Sequence, residues 1–454
     1  MKNKAAANSA GAKGNFVAII AMFFLFAMIS FVTNLAAPLG TIWKNNYEWS
    51  GMLGNMMNFL AYLFMGIPAG NLLSKIGYKK TALYAMIVGL AGLVLQWLSG
   101  VFGSGIGVFA VADQTVTLNF LIYLLGAFVC GFCVCMLNTV VNPMLNMLGG
   151  GGNCGNQLVQ TGGSFNSLAG TLTPLFVGML IGQVTSTTSM TDVAPLLYIA
   201  MGVFVLAFLI ISFVSIPEPH MSKGKVARKD AHSPWSFRHT VLGVIGIFFY
   251  VGIEVGIPGV LIFYLSDSAA SGITENATAV AGGVAAIYWL LMLCGRLISS
   301  VISGKVSSKA QLTVVSTVAI ILITVAIFLP STYRVSMPAY SPADGFTMAM
   351  VPTKALLLVA CGLCTSVMWG GIFNLAVEGL GKYTAKASGI FMMMVVGGGV
   401  MPLIQNAIAN SVSYMASYWL VIAMLAYLLF YALVGCKNVN TNIPVEEEPD
   451  PRNL

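Results

Sequence analysis

Apolar stretches of about 20 residues recur twelve times along this chain of 454 residues, and they limit its fold more than any other feature. A helix needs about 20 apolar residues to cross the hydrocarbon core of a bilayer. The period-two alternation of barrel strands is absent, so the stretches predict helices. We expect an all-α integral membrane protein with twelve transmembrane helices, at 16–38, 51–74, 81–99, 117–148, 157–186, 193–216, 240–266, 277–303, 311–330, 354–377, 387–410 and 415–436.

The composition excludes several classes of protein. Charged residues make up 8% of the chain, whereas soluble domains carry about 25%. Hydrophobic residues make up 58%, and a soluble fold could not cover that much apolar surface with polar side chains. A soluble enzyme, a nucleic-acid-binding protein and a disordered chain are therefore excluded, and the lipid bilayer is the expected surroundings.

Lysine and arginine concentrate on alternate connections between the predicted helices. With the N-terminus on the inner side, 17 of the 21 basic residues fall in inner segments, and Lys44, Arg334 and Lys354 fall in outer ones. Cytoplasmic loops of membrane proteins carry an excess of these residues. We therefore expect both termini and the central loop to be cytoplasmic.

The predicted helices divide into two groups of six around a polar central segment, 217–239. That segment holds His220, His232 and His239, together with basic residues and turn formers, which is typical of a solvated linker rather than a metal site. Two such halves are typical of transporters in which a site at the interface of the halves opens alternately to the two sides of the membrane. The predicted organisation is a tail at 1–15, a half at 16–216, the linker at 217–239, a half at 240–436 and a tail at 437–454.

The cysteines and glycines predict neither a cofactor nor a metal site. The CGFC and CGLC pairs, which begin at Cys130 and Cys361, lie in apolar helices without a histidine or carboxylate, so we expect small-residue packing. The glycine runs at 149–152 and 397–399 lack the strand and Lys-Ser/Thr of a phosphate-binding loop. An integral-membrane enzyme would need an acid and base set or metal ligands, and we predict no catalytic residues.

Glu254 is the one acidic residue deep within a predicted span, in FFYVGIEVGIPGVLIFYL. A charged side chain at mid-helix costs about 2.5–3.5 kcal/mol on insertion scales, so such a residue is a functional candidate. Tyr250 lies one turn earlier on the same helix face. We predict that Glu254 couples transport to protons. The structural alternative is a permanently protonated or helix-bridging residue.

Side-chain amides recur inside the predicted spans of both halves. An amide offers both a donor and an acceptor to a sugar hydroxyl. The predicted substrate-binding residues are Asn34, Asn138, Asn142, Gln160, Asn166, Tyr250, Asn374 and Gln405. Amides between membrane helices also hold the helices together, at about 0.6 kcal/mol each, and we expect that role for about half of the amides.

Basic residues at the inner ends of helices are candidates for closing an inner gate. Lys79, Lys80 and Arg296 are the predicted gating residues, because positive charge is favoured at the C-terminal carbonyls of helices. Arg296 lies at least one turn inside its span, on the face of Tyr288 and Met292. For the two lysines, the general excess of basic residues on the inner side is an alternative explanation.

Five segments carry a resemblance to a known family. They are IPAGNLLSKIGYKK at 67–80, NTVVNPMLNMLG at 138–149, FNSLAGTLTPLF at 165–176, YVGIEVGIPG at 250–259 and GGGVMPLIQNAIA at 397–409. The first resembles the loop between helices two and three of the major facilitator superfamily of transporters, with Ser74 at the usual acidic position. All five resemble its fucose/glucose/galactose:proton symporter branch. The resemblance extends from the first helix to the twelfth and implies the major facilitator fold.

The resemblance also implies residue roles. The coupling aspartate and glutamate of fucose permease align with Ala37 and Asn138, so both carboxylates are missing here. The branch's asparagine in helix five and its glutamate in helix seven are kept as Asn166 and Glu254.

We therefore expect a monomer of the bacterial inner membrane that imports a neutral monosaccharide or a close derivative by proton symport, without a cofactor. Loss of the two carboxylates leaves an uncoupled sugar facilitator as an alternative. A second alternative is an exporter of another metabolite or drug, although exporters tend to have apolar, aromatic cavities rather than amide-rich ones.

Overall fold

The computed structural model of the protein describes residues 2–47, 50, 53–111, 113–181, 189–218, 232–275, 277–341 and 345–445. Within these ranges, side chains are described except at 2–15, 36–38, 40–41, 44–45, 171, 174–181, 278–279, 340–341 and 345–346. His220 and its basic neighbours, the side chain of Ala37 and the tail beyond Val445 therefore lie outside the described residues.

Five long helices form the first half: α1 Lys2–Asn46, α2 Leu53–Val101, α3 Leu118–Leu148, α4 Gly152–Ile181 and α5 Ala194–Phe213. The 49 residues of α2 would extend about 73 Å as one straight helix, more than twice what one membrane span needs. Its backbone takes φ 85° and ψ 177° at Gly77, a conformation open to glycine. The chain reverses there, since α3 packs against Ala61 through Gly131 and against Gly92 through Cys130. α2 therefore supplies two spans.

The second half begins after a 3-10 turn at Pro234–Ser236. Its helices are α6 Arg238–Ser266, α7 Ser268–Ser271, α8 Ala277–Ile302, α9 Ser308–Phe328, α10 Thr353–Thr365, α11 Met368–Val377, α12 Thr384–Met393, α13 Gly397–Ser411 and α14 Tyr414–Phe430. α10 and α11 form one interrupted span, and α12 and α13 form another around the 3-10 turn Met394–Val396. A 3-10 turn at Gly381–Tyr383 precedes α12, and a π-helical turn, Tyr431–Gly435, extends α14.

Ten segments of the described residues are long and apolar enough to cross a membrane. One of the ten is the whole of α2, which supplies two spans. α4, with 30 residues, is not among the ten and supplies one more. The sum is twelve membrane helices, the number that the sequence predicts. α6 begins at Arg238, so the last two residues of the predicted linker, 238 and 239, belong to a helix.

Two β-hairpins lie on one face of the bundle, which we call the hairpin face. β1 Gly107–Val111 pairs with β2 Gln114–Thr117 before α3, and β3 Arg334–Ser341 pairs with β4 Gly345–Pro352 before α10. Met337 and Ala339 of β3 are buried, and β3 packs against α8. The opposite face holds the Gly77 turn, the turn between α3 and α4 and the end of α14, and we call it the tail face.

Basic residues separate between these faces. Arg334 and Lys354 lie at the hairpin face, and Arg296 lies inside α8. The other described basic residues outside α1 belong to helix ends and turns of the tail face: Lys75, Lys79, Lys80, Arg238, Lys305, Lys309, Lys382, Lys386 and Lys437.

Small residues let the helices of each half approach closely. Cys130 and Cys133 pack against Gly92 and Gly89, where a Cβ atom would lie 2.7 Å from either sulfur. Membrane helices commonly associate through such contacts. The cysteines are free thiols, and the described part of the chain contains no cluster of three His, Cys, Asp or Glu residues that could hold a metal ion.

Candidate functional site

An ion pair lies where the two halves meet. Arg296 of α8 places a terminal guanidinium nitrogen 3.2 Å from Oε1 of Glu254, near the middle of α6. The side chains of Arg296 and Glu254 are 10% and 15% exposed. Because a charge in the membrane interior needs a partner, each residue makes the other tolerable there. The arrangement is neutral as a pair, and a proton arriving at Glu254 would leave a net positive charge.

Arg296 also reaches across to the first half. Its other terminal nitrogen donates to the hydroxyl of Ser167 at 2.7 Å and to the carbonyl of Gly163 at 3.2 Å, both on α4. Gly163 also packs against the arginine, and a Cβ there would lie 3.5 Å from Arg296 Cδ, an ordinary van der Waals distance. The guanidinium therefore connects Glu254 of the second half to α4 of the first.

One aromatic side chain lies beside this ion pair, and two others lie on neighbouring positions of the same faces. Tyr250 is fully buried and close enough to interact electrostatically with both Glu254 and Arg296. Its ring meets that of Trp369 edge to face, with centroids 6.1 Å apart. Trp289 lies on the same face of α8 as Arg296 and is 41% exposed. The site therefore combines a titratable carboxylate with aromatic surfaces of the kind that pack against sugar rings.

Three of the predicted substrate-binding amides bond within the first half. Asn34 donates to the carbonyl and hydroxyl of Ser30 on its own helix, at 2.8 and 3.2 Å. Asn138 donates to the hydroxyl of Tyr62 at 2.9 Å. Asn166 donates to the carbonyl of Phe26 at 3.0 Å and so ties α4 to α1. These donors are occupied by bonds inside one half.

Three others bond across the two halves, and we call their contacts the amide latch. Asn374 accepts from Asn146 at 2.7 Å and donates to Ser308 at 2.9 Å. Asn142 accepts from the indole nitrogen of Trp369 at 3.0 Å. Gln160 donates to the carbonyl of Val367 at 2.9 Å, in the interruption between α10 and α11. All three contacts lie between the ion pair and the tail face.

The remaining predicted residues lie away from the ion pair. Gln405 is fully buried against Gly256, and neither of its amide atoms has a hydrogen-bond partner among the described residues. Lys79 donates to the carbonyl of Ser212, at the end of α5 in the same half, at 2.7 Å. Lys80 is exposed at the start of the second span of α2.

Glycines let the two halves touch on the tail side. A Cβ on Gly66 would lie 2.5 Å from the backbone nitrogen of Met393 and 2.7 Å from the carbonyl of Gly389. A Cβ on Gly70 would lie 2.9 Å from Cα of Gly389. With the amide latch, these backbone contacts close the bundle at the tail face.

Sequence reasoning missed three partners. It treated Glu254 and Arg296 separately, although one acid and one base inside the spans were a signal that they could pair. It did not single out Glu218, whose carboxylate accepts from the backbone N–H groups of Tyr78 and Lys79 at 2.7 and 2.9 Å. The partnership of Asn374 with Ser308 joins helices distant in sequence, and no local pattern signals it.

Comparisons with known proteins bear on the fold and the family. The sequence model of the Major Facilitator Superfamily matches residues 14–402. A glucose/galactose transporter of Brucella abortus is 30% identical over 423 residues, which cover 92% of this chain and 93% of that protein. The L-fucose-proton symporter of Escherichia coli is 21% identical over 447 residues, covering 91% of each chain.

A solved structure agrees with the architecture. The crystal structure of the Escherichia coli fucose:proton symporter superposes with a TM-score of 0.74 at 17% identity, over 92% of this chain and 98% of that one. Likeness at this identity establishes the fold, and the predicted fold is confirmed.

Proposed function

The chain belongs to the major facilitator superfamily, and we propose that it carries a neutral monosaccharide or a close derivative across a bacterial inner membrane together with a proton. Its relatives are named transporters rather than enzymes, as the sequence analysis expects. The names of those relatives, for glucose/galactose and for fucose, support a sugar as substrate.

The observation that carries the proposal is the contact of Arg296 with Glu254 and with Ser167 across the halves. A carboxylate in this position can bind and release a proton where the two halves separate. In the empty protein, Glu254 is ionised and paired with Arg296. When Glu254 takes a proton, the pair loses its attraction, and both side chains gain hydrogen-bonding capacity for sugar hydroxyls.

The order of events follows from the closed tail face. Sugar and proton enter from the hairpin face, and the amide latch opens when both are bound. Glu254 then releases its proton on the tail side, and the ion pair forms again before the empty protein returns. A ligand shifts the equilibrium between the states closed and open at the tail face only if it binds the two states with different affinities. Protonation of Glu254 supplies that difference here.

The distribution of charge supports an orientation of the protein in the membrane. The basic residues of the tail face make it the cytoplasmic face by the excess of lysine and arginine in cytoplasmic loops. Uptake therefore runs from the hairpin face to the tail face, and both termini are cytoplasmic. We expect the monomer to be sufficient, because the ion pair and the latch lie within one chain.

An uncoupled facilitator is the second candidate. Asn138, at one of the carboxylate positions of fucose permease, is neutral and donates to Tyr62. A facilitator would equilibrate a sugar across the membrane, whereas a symporter would concentrate it.

Uptake into proteoliposomes tests both candidates. The purified protein is reconstituted, and radiolabelled glucose, galactose, fucose and amino sugars are supplied with an inward proton gradient, with and without a protonophore. We expect accumulation above the outside concentration that the protonophore abolishes. Equilibration unaffected by the protonophore would identify a facilitator, and failure of every sugar would contradict the substrate class.

A further inference from the structure

One face of α4 carries a row of small and polar residues that runs from the ion pair to the tail face. Its members are three or four residues apart and therefore share one side of the helix: Asn153, Asn156, Gln160, Gly163 and Ser167. Arg296 donates to the last two, and Gln160 donates to the carbonyl of Val367. We call this row the α4 stripe, and it faces the second half along its length.

Asn156 differs from the other buried members of the α4 stripe. It is fully buried, and neither atom of its amide group has a hydrogen-bond partner among the described residues. It faces Gly370 of α11, where a Cβ would lie 3.1 Å from Asn156 Oδ1 and 2.6 Å from Gln160 Nε2. Most buried polar side-chain atoms have a partner, and an exception needs an explanation. No hydrogen bond of this amide stabilises the tail-closed state.

A cavity lies at the tail face, one helical turn from Asn156. Its volume is about 720 Å³, and its walls include Gly152 and Asn153 of α4, Ser308 of α9 and Asn374 of α11. Sites for small ligands have volumes of about 300–1,000 Å³. Asn374 belongs both to the cavity wall and to the amide latch. Opening the latch therefore joins the cavity to the α4 stripe.

We propose that Asn156 binds a hydroxyl group of the sugar as it leaves through the tail face, an inference that rests on the proposed function. Separation of the halves withdraws Gly370 from Asn156 and turns both amide atoms towards the cavity. The amide then offers a donor and an acceptor to the hydroxyl. Because Gly370 covers the amide in the tail-closed state, the contact belongs to the tail-open state. Asn156 is therefore a specificity-determining residue of the release step.

Sugar movement in both directions through right-side-out membrane vesicles tests this contact. With a protonophore present, efflux begins with binding from the tail face, whereas uptake begins at the hairpin face. The half-saturation concentrations of glucose and of its monodeoxy derivatives, each of which lacks one hydroxyl, are measured in both directions. Asn156→Leu removes the amide and keeps a branched side chain, and Asn156→Ala repeats the test with a smaller one.

The ratio of half-saturation concentrations for a deoxy sugar and for glucose isolates the contact with one hydroxyl. A variant that only shifts the balance between the two states changes these concentrations by the same factor for every sugar. One missing hydrogen bond weakens binding roughly three- to tenfold. For one deoxy sugar we therefore expect an efflux ratio of about three to ten in the unaltered protein and about one in Asn156→Leu, with the uptake ratio unchanged.

Asn58→Leu is the matched control, because Asn58 is also a buried amide with an unpartnered oxygen, but it packs against Gly131 within the first half. Its ratios should equal those of the unaltered protein in both directions. Unchanged efflux ratios in Asn156→Leu overturn the inference and leave the proposed function standing. Equal changes in efflux and uptake overturn it as well, because they place the contact in the tail-closed state. If the unaltered protein carries neither glucose, galactose nor fucose, the proposed function fails and the inference fails with it.

Discussion

Glu254 and Arg296 lie on different helices, 42 residues apart, and form an ion pair whose closest atoms are 3.2 Å apart at the junction of the two halves. The same arginine donates to Ser167 in the opposite half. A change of charge at Glu254 therefore acts directly on Arg296, whose contact with Ser167 must break when the halves rearrange. This geometry supports the proposed role of the Glu254 carboxylate as the group that couples transport to protons.

Replacing Glu254 with glutamine should separate proton coupling from sugar movement. Glutamine has nearly the same shape and still offers an oxygen to Arg296, but it cannot release a proton at neutral pH. We expect Glu254→Gln to lose accumulation of sugar under a proton gradient and to keep exchange of labelled for unlabelled sugar. Both are measured in proteoliposomes.

The matched control for this substitution is Glu378→Gln, which removes an exposed carboxylate from the tail face. This variant should accumulate sugar like the unaltered protein. If Glu254→Gln still concentrates sugar under the gradient, Glu254 does not carry the coupling proton.

Breaking the amide latch should shift the protein towards the state open at the tail face. Asn146→Ala removes the 2.7 Å hydrogen bond to Asn374. A hydrogen bond between membrane helices contributes about 0.6 kcal/mol, so the ratio of closed to open protein should fall roughly threefold. Cysteines at Gln157 and Gly304, which touch across the halves, report closure through their rate of cross-linking by a short bis-maleimide.

Two further variants serve as controls for the cross-linking experiment on the amide latch. Asn58→Ala removes a buried amide within the first half and should leave the cross-linking rate unchanged. Asn146→Ala combined with Asn374→Ala should have little more effect than Asn374→Ala alone, because Asn374→Ala already removes the hydrogen bond between the two asparagines. Additive effects of the two changes would contradict a shared latch.

The number of membrane helices could be predicted because it depends on local sequence. The hydrophobic length of a segment indicates whether it spans the bilayer, and each span can be recognised from its own residues. The two hairpins were not predicted. Their pairing, such as Met337 opposite Ala349, depends on contacts between strands and on packing against α8, which local hydrophobicity does not report.

The site was predictable as a set of residues but not as a set of partners. The cost of a charge in the membrane singled out Glu254 and Arg296 separately. The amides were harder to assign, because Asn34 and Asn374 are equally polar in sequence. Asn34 bonds within its own helix, whereas Asn374 bonds across the halves. Only tertiary structure separates an amide that can meet a ligand from one that closes a gate.

A methyl group at the contact between α2 and α12 should oppose closure of the tail face. At Gly66 its carbon would lie 2.5 Å from the nitrogen of Met393, which is backbone and cannot move aside cheaply. Overpacking costs about 1–3 kcal/mol, and the cost falls on the closed state alone because the halves separate in the other state. We expect Gly66→Ala to slow the Gln157–Gly304 cross-link at least fivefold.

The control for this change is Gly202→Ala in α5, where a Cβ would meet no atom within 4 Å. That variant should leave the cross-linking rate unaltered and should not lower the melting temperature. An unchanged cross-linking rate in Gly66→Ala would show that α2 and α12 do not approach as closely as the structure indicates.

Removing the carboxylate of Glu218 should destabilise the turn at Gly77. Its two oxygens accept from Tyr78 and Lys79, the first residues after the turn, so it acts as a helix N-cap supplied from a distant segment. Loss of an N-cap costs about 1 kcal/mol. We expect Glu218→Ala to lower the melting temperature in detergent, followed by intrinsic fluorescence, whereas Glu378→Ala should not. Equal melting temperatures for the two variants would mean that the cap does not stabilise the turn.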